Sequence, residues 1–197
     1  MFSFFLNLCG LKFLMRMQRY KIFILFILIL NNISCHENTK TPKMKSSTKL
    51  MVGDKAPLFT LPDQKGNAIS LSDFIGKTRL VIYFYPKDES YGCTKEACSF
   101  RDSYEEFKEA GAEVIGISAD DEDSHKGFAE NHKLPFILLS DKDKKVAISY
   151  GVGKTLGILP GRVTFIIDRQ GIIRGIYSSQ VSFQKHVEEA LEVLRKI

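Results

Sequence analysis

A chain of 197 residues, 44% hydrophobic and 26% charged, suffices for one substantial core and is short for two. Its formal charge of +5 is unevenly placed: residues 1–49 hold eight Lys/Arg against one acid, Glu37, which leaves 20 basic and 22 acidic residues for the rest. A domain this near neutrality, with no basic stripe, excludes nucleic acid as a partner, and four cysteines, at 9, 35, 93 and 98, are too few for a disulfide scaffold.

Behind Arg16, Arg19 and Lys21 come nine apolar residues, 22–30, which end at Asn31. Nine is too few to span a bilayer. A basic stretch before a short apolar core is the pattern of an export signal, and Ser34-Cys35 resembles a bacterial lipoprotein cleavage site, although Asn32 occupies a position where Leu is usual. Residues 1–35 are therefore expected to be an export or lipoprotein-type signal, with Met15 or Met17 as alternative starts and Cys35 as the residue to be lipidated. A start at Met44 or Met51 would instead give a cytoplasmic protein. Residues 36–49 are polar and aperiodic, which predicts a tether, so contact with a membrane is expected only through this front segment.

The domain is expected over residues 50–197. Residues 79–85 and 113–118 are continuous apolar and β-branched runs, suited to parallel strands buried on both faces. Between them, Ala97, Phe100, Tyr104 and Phe107 recur at helical spacing, predicting one helix over 93–109 that stops at Gly111. A short helix over 124–131, a strand over 136–139 and a helix over 144–150 follow. Residues 163–167 and 172–177 read as a hairpin about Asp168-Arg-Gln-Gly171, and a last helix over 183–194 turns Val187 and Leu191 inward. This order of elements predicts an α/β fold, a thioredoxin-like sandwich with a central mixed β-sheet covered by helices.

The chemistry concentrates in residues 83–98, which cross from a strand end through a loop into a helix. Cys93 falls in that helix's first turn, where unpaired backbone N–H groups and the positive end of the dipole favour a thiolate. Pro86 suits the strand-to-loop change because it lacks a donor. Ser90 can place a hydroxyl beside the sulfur, and Gly92 permits close backbone approach. The spacing Cys93-x4-Cys98 is neither that of a zinc site nor the Cys-x2-Cys of a thioredoxin redox pair. On one intact helix, Cα atoms five apart lie about 8.6 Å from each other, beyond the roughly 7 Å that a disulfide tolerates. Any bond between these two cysteines therefore requires the helix start to unwind.

Pro86-x3-Ser90-x2-Cys93 resembles the active-site signature of peroxiredoxins, and Cys98 is similar to the resolving cysteine of the peroxiredoxin Q or bacterioferritin-comigratory type. Further similarity runs through residues 98–102, 116–118, 159–162 and 164–168. Ser90-Tyr91 departs from the Thr-Pro of many relatives. The resemblance implies that Cys93 attacks a hydroperoxide to give a sulfenic acid, that Arg162 holds the thiolate and the peroxide oxygen, and that Cys98 closes a disulfide which a thioredoxin-like reductant reopens. A monomer is expected, with no cofactor.

Two other readings compete. A thioredoxin-like thiol-disulfide oxidoreductase is disfavoured by the cysteine spacing, and a non-enzymatic peroxide sensor would use the same sulfenic acid without turnover. Blander roles compete for single residues: a surface pair between Arg162 and Asp168, an ordinary turn at Ser90, and a solvated face for Arg101 and Asp102. Tyr85 is expected in the core. The acidic run 120–123 is expected to serve a helix N-terminus rather than a metal. His125, His132 and His186, lacking convergent partners in sequence, are expected on the surface.

Overall fold

The computed structural model describes residues 49–155 and 159–197. The expected signal over 1–35 and all but the last residue of the tether lie outside the described residues. A five-stranded sheet is built from β3 (Arg79–Phe84), β4 (Ala112–Ser118), β5 (Ile137–Ser140), β8 (Val163–Ile167) and β9 (Ile173–Ser178), in the order β5-β4-β3-β8-β9. β3, β4 and β5 are parallel, whereas β8 and β9 run antiparallel to their neighbours. The mixed sheet and its covering helices are the expected thioredoxin-like architecture.

Alternation along β3 shows why the strand runs are continuously apolar. Val81 and Tyr83 pack on one face with Phe100, Phe107, Phe128, Val187 and Leu191, while Leu80, Ile82 and Phe84 pack on the other with Ile117, Tyr150 and Phe165. Both faces are covered from Leu80 to Phe84, so no charged residue falls within that run. The first face carries α1 (Tyr91–Asp102), α2 (Tyr104–Glu109), α3 (Glu122–His132) and α5 (Phe183–Leu194). The second carries α4 (Lys145–Ser149) and an N-terminal hairpin, β1 (Thr60–Pro62) and β2 (Ala68–Ser70). A further short pair, β6 (Lys154–Thr155) and β7 (Leu159–Pro160), precedes β8.

Three departures from the sequence-based expectations have physical causes. The helix expected over 93–109 starts at Tyr91 and is divided at Ser103, whose φ of −103° and ψ of 12° leave the helical region. The apolar stripe continues across the break, so periodicity alone does not register it. The β1–β2 hairpin has three-residue strands, too short for an alternation signal. Its turn is closed by Asp63, which accepts from the backbone N–H groups of Lys65 and Asn67, both at 2.8 Å. Last, His125 and His186 are not on the surface: both are fully buried, and His132 is half-buried.

The topology sets the position of the site. From β3 the chain steps outward to β4 and β5, then returns to β8 on the opposite side of β3, so the strand order reverses there. Crevices outside such reversal points are where open α/β sheets bind ligands. Because β8 is antiparallel and Phe84 pairs with Val163, Arg162 emerges beside the loop that leads from β3 into α1.

Candidate active site

Cys93 is the third residue of α1 and is 1% exposed. The first intrahelical bond runs from Thr94 N to Ser90 O at 2.8 Å, so the N–H groups of residues 91–93 have no acceptor within the helix. Ser90 is the N-cap, yet its side chain does not cap: the hydroxyl donates to Lys87 O at 2.9 Å. Its proton is thus engaged in the turn, and among the described residues the hydrogen bond to Cys93 Sγ comes from Arg162 instead. The helix start is left with its donors and the positive end of its dipole directed at Cys93. Pro86, half-buried, directly follows the last residues of the β3 run, as the sequence predicts.

Arg162 is 4% exposed and donates through Nη2 to Cys93 Sγ at 3.3 Å. Its Nη1 donates to Glu96, which is wholly buried. The surface pair with Asp168 is not formed, because Asp168 accepts from Arg174 Nε at 2.6 Å. One guanidinium is therefore shared between a sulfur and a carboxylate, an arrangement its planar fork suits. The Phe183 ring lies 5.0 Å from Arg162 Cζ and covers the cation. A Cβ on Gly92 would lie 2.8 Å from the same ring and 3.2 Å from Arg162 Nη2, so only glycine fits between the helix start and this cover.

Glu96 and His186 are functional neighbours that the sequence reading missed. Burial pushes the Glu96 carboxyl up to about 7, against the pull of Arg162. His186 Nε2–H donates to Ser179 O at 3.0 Å, which leaves Nδ1 to accept from the Thr164 hydroxyl at 2.8 Å. Burial holds this ring down to about 4, with the Arg162 charge acting in the same direction. Glu96 Oε1, 3.4 Å from His186 Nδ1, has no hydrogen-bond partner among the described residues, and neither have Arg162 Nε and the Tyr83 hydroxyl. Three buried unpaired atoms around one sulfur mark a site that tolerates local cost. A signal was present in sequence: Glu96 lies three residues beyond Cys93 and four before Phe100, so a carboxylate interrupts the inward stripe, as His186 does beside Val187 and Ala190.

The loop between β3 and α1 is fastened from beneath. Asp88 is 4% exposed and accepts from the Tyr85 hydroxyl at 2.7 Å and from Ser124 Oγ at 2.8 Å, and its Oδ2 lies 2.8 Å from His125 Nδ1. Although burial opposes ionisation, these bonds and the His125 charge hold the Asp88 carboxyl below its ordinary range. His125 Nε2 reaches Leu139 O at 3.1 Å, tying the loop to β5. Glu89, with a left-handed φ of 55°, is held to α3 by Asn131 and His132 at 2.9 and 2.8 Å. Tyr85 is thus a core residue, as expected, with a polar tip in this network. Arg101 and Asp102 pair at 2.8 Å; Asp102 is exposed, as expected, whereas Arg101 is half-buried and also donates through Nη1 to His132 O at 2.8 Å, tying α1 to α3. Within the acidic run, Asp121 caps α3 by accepting from Ser124 N.

Cys98 is half-buried on the same helix, and both cysteines are free thiols. A buried sulfur faced by a guanidinium and by uncapped N–H groups can attack an electrophilic oxygen and shelter the product. A second thiol five residues on can trap that product only after α1 opens.

Comparison with known proteins gives a consistent result. Residues 52–176 match the model of the AhpC/TSA family. The chloroplastic peroxiredoxin Q of Sedum lineare is 48% identical over 170 residues, covering 85% of this chain and 91% of that protein. The chloroplastic peroxiredoxin Q of Oryza sativa subsp. japonica is 54% identical over 150 residues, covering 76% and 69%. Among solved structures, the peroxidoxin BcpB of Mycobacterium tuberculosis superposes with a TM-score of 0.70 at 40% identity, covering 75% of this chain and 98% of its own. The peroxiredoxin Q of Xanthomonas campestris does so with a TM-score of 0.65 at 30% identity, covering 70% and 90%.

Proposed function

This chain belongs to the AhpC/TSA family and, within it, to the peroxiredoxin Q type, and from that premise we propose which of its residues carry the reaction. It is a thiol peroxidase that reduces peroxides through a catalytic cysteine. Cys93 is that cysteine. The observation that carries the assignment is the buried contact of Arg162 Nη2 with Cys93 Sγ at 3.3 Å.

In the proposed sequence, the Cys93 thiolate attacks the terminal oxygen of ROOH. The O–O bond breaks, sulfur takes the OH as sulfenic acid, and the departing alkoxide or hydroxide collects a proton. Arg162 and the N–H groups at the start of α1 stabilise the charge that develops on the oxygens, and Glu96 positions Arg162 by accepting its other Nη. The Cys98 thiol then condenses with the sulfenic acid, releasing water and forming the disulfide. Both cysteines lie on the unbroken helix Tyr91–Asp102, where their Cα atoms are about 8.6 Å apart, so the first turns of α1 unwind before the bond closes. Reduction of the disulfide by a thioredoxin-like dithiol completes the cycle.

The test is hydrogen peroxide consumption with dithiothreitol as reductant. Cys93→Ser is expected to fall to the uncatalysed background, whereas Cys98→Ser, mixed with peroxide in the absence of added thiol, is expected to give one rapid turnover that ends as sulfenic acid. Sustained turnover in Cys93→Ser would overturn the assignment.

A further inference from the structure

The buried cluster around Cys93 holds two acids and one cation. The Cys93 thiol and the Glu96 carboxyl each meet a different Nη of Arg162, and all three side chains are at most 4% exposed. If sulfur and carboxyl were both ionised, the site would carry an uncompensated negative charge away from water, and if neither were, the cation would stand alone; both are costly. One proton is therefore shared between the two acids, which titrate as a pair. The other groups that face them are neutral. Burial pushes the Tyr83 hydroxyl, on β3, well above its ordinary range and so keeps it protonated, and burial likewise keeps the His186 ring, on α5, uncharged. Thr164, on β8, brings a hydroxyl, and Tyr177, on β9, meets the His186 ring edge-on at 4.7 Å. Asp88, whose charge acts on Tyr83, is matched by His125 at 2.8 Å.

Where the shared proton resides depends on Glu96 Oε1. Arg162 Nη1 meets the carboxyl through Oε2, while Oε1 lies 3.4 Å from His186 Nδ1. Because His186 donates through Nε2 to Ser179 O at 3.0 Å, its Nδ1 presents a lone pair. An ionised Oε1 would face that lone pair with no hydrogen between them, whereas a protonated Oε1 has an acceptor in place. Thr164 Oγ1, 2.8 Å from the same nitrogen, is the competing donor.

We propose that His186 is a positioning residue for the peroxidase reaction, whose Nδ1 draws the proton shared by Cys93 and Glu96 onto Glu96 Oε1 and so leaves the sulfur ionised with Arg162 at its service. In this transfer a proton leaves Cys93 Sγ and a proton is gained at Glu96 Oε1, so the cluster neither gains nor loses charge. The inference rests on the proposed role of Cys93 as the attacking sulfur. Burial, which raises the Glu96 carboxyl to about 7, acts in the same direction.

The experiment follows the first reaction of the reduced full chain with hydrogen peroxide by stopped flow across the acid and neutral range, and reads the pH at which the rate falls by half. In His186→Leu that midpoint is expected to rise by about one pH unit, the worth of one hydrogen bond. His186→Asn, whose amide oxygen can accept in place of Nδ1, is expected to restore most of the shift. Glu96→Gln imitates the protonated carboxyl with a donor of its own, so the midpoint is expected to fall, and His186→Leu added to it is expected to move the midpoint no further. Thr164→Val keeps the buried histidine and removes the competing donor, so it too is expected to lower the midpoint. A His186→Leu rate that drops equally at every pH would make the residue merely structural and overturn the proposal. A shift that persists in the Glu96→Gln background would also overturn it, because His186 would then act on the sulfur without Glu96, as would a midpoint in Thr164→Val that stays or rises. A Cys93→Ser chain that still reacts with peroxide would instead contradict the role of Cys93.

Discussion

At the scale of single residues, the site turns on Arg162 serving two partners. A lysine keeps the charge but presents one point instead of a fork, so it cannot hold Glu96 and Cys93 together. Arg162→Ala is expected to lower kcat/KM for peroxide by about 10²- to 10³-fold, the usual loss when one transition-state donor is removed. Arg162→Lys is expected to recover little of it, and stopped-flow consumption of peroxide measures both. Glu96 and His186 make opposite contributions to stability against pH. The Glu96 carboxyl rises from 4.5 to about 7 on folding, so its contribution is full below about pH 4.5 and is lost as pH climbs through 7. His186 falls from 6.5 to about 4, so its contribution is full above about pH 6.5 and is lost as pH drops through 4. Urea midpoints of wild type and Glu96→Gln, followed from pH 4.5 to 8, should show wild type losing ground to the variant across the rise. Parallel curves would mean that Glu96 ionises in the folded protein as it does in water. These residues were only half legible in sequence: Cys93 and Arg162 stand in a signature, whereas Glu96 and His186 needed the fold to bring α1, β8 and α5 around one point.

At the scale of elements, the active-site helix is pinned at one end and loose at the other. Asp88 and Glu89 fasten the preceding loop to α3 and β5, while the start of α1 lacks a side-chain cap and is held by the contact of Phe183 with Gly92. Unwinding therefore begins after Ser90 and leaves the loop in place. Gly92→Ala tests this division. The added methyl would meet the Phe183 ring at 2.8 Å, and such overpacking costs about 1–3 kcal/mol, concentrated where the helix already opens. Amide exchange over residues 91–98 is expected to accelerate by about 10- to 100-fold for that cost, with residues 85–89 unaffected. Equal exchange in wild type and variant would show that the contact does not hold the turn closed. The sequence revealed this helix by its apolar stripe but not its end points. The break at Ser103 preserves the stripe, and the start at Tyr91 depends on a cap that forms no side-chain bond.

At the scale of the whole molecule, β3, β4, β5 and β8 were legible because burial on both faces leaves an apolar run, and the parallel pairing of β3, β4 and β5 followed from the helices between them. The β1–β2 hairpin escaped notice because Asp63 and its backbone bonds, rather than alternation, define it. Every residue assigned a role, from Pro86 to His186, lies in the described part of the chain, as do both apolar layers that position them. The contacts given above for this machinery are all between described residues. A chain beginning at Lys49 is accordingly expected to fold cooperatively, with a urea midpoint close to that of the full chain, and to consume hydrogen peroxide with dithiothreitol at an unchanged kcat/KM. A marked loss of either would show that the front segment takes part in the fold or in the reaction, and equality would make residues 50–197 the complete catalytic unit. The two measurements separate these roles, since a segment that only covers the site would alter kcat/KM and leave the midpoint where it is.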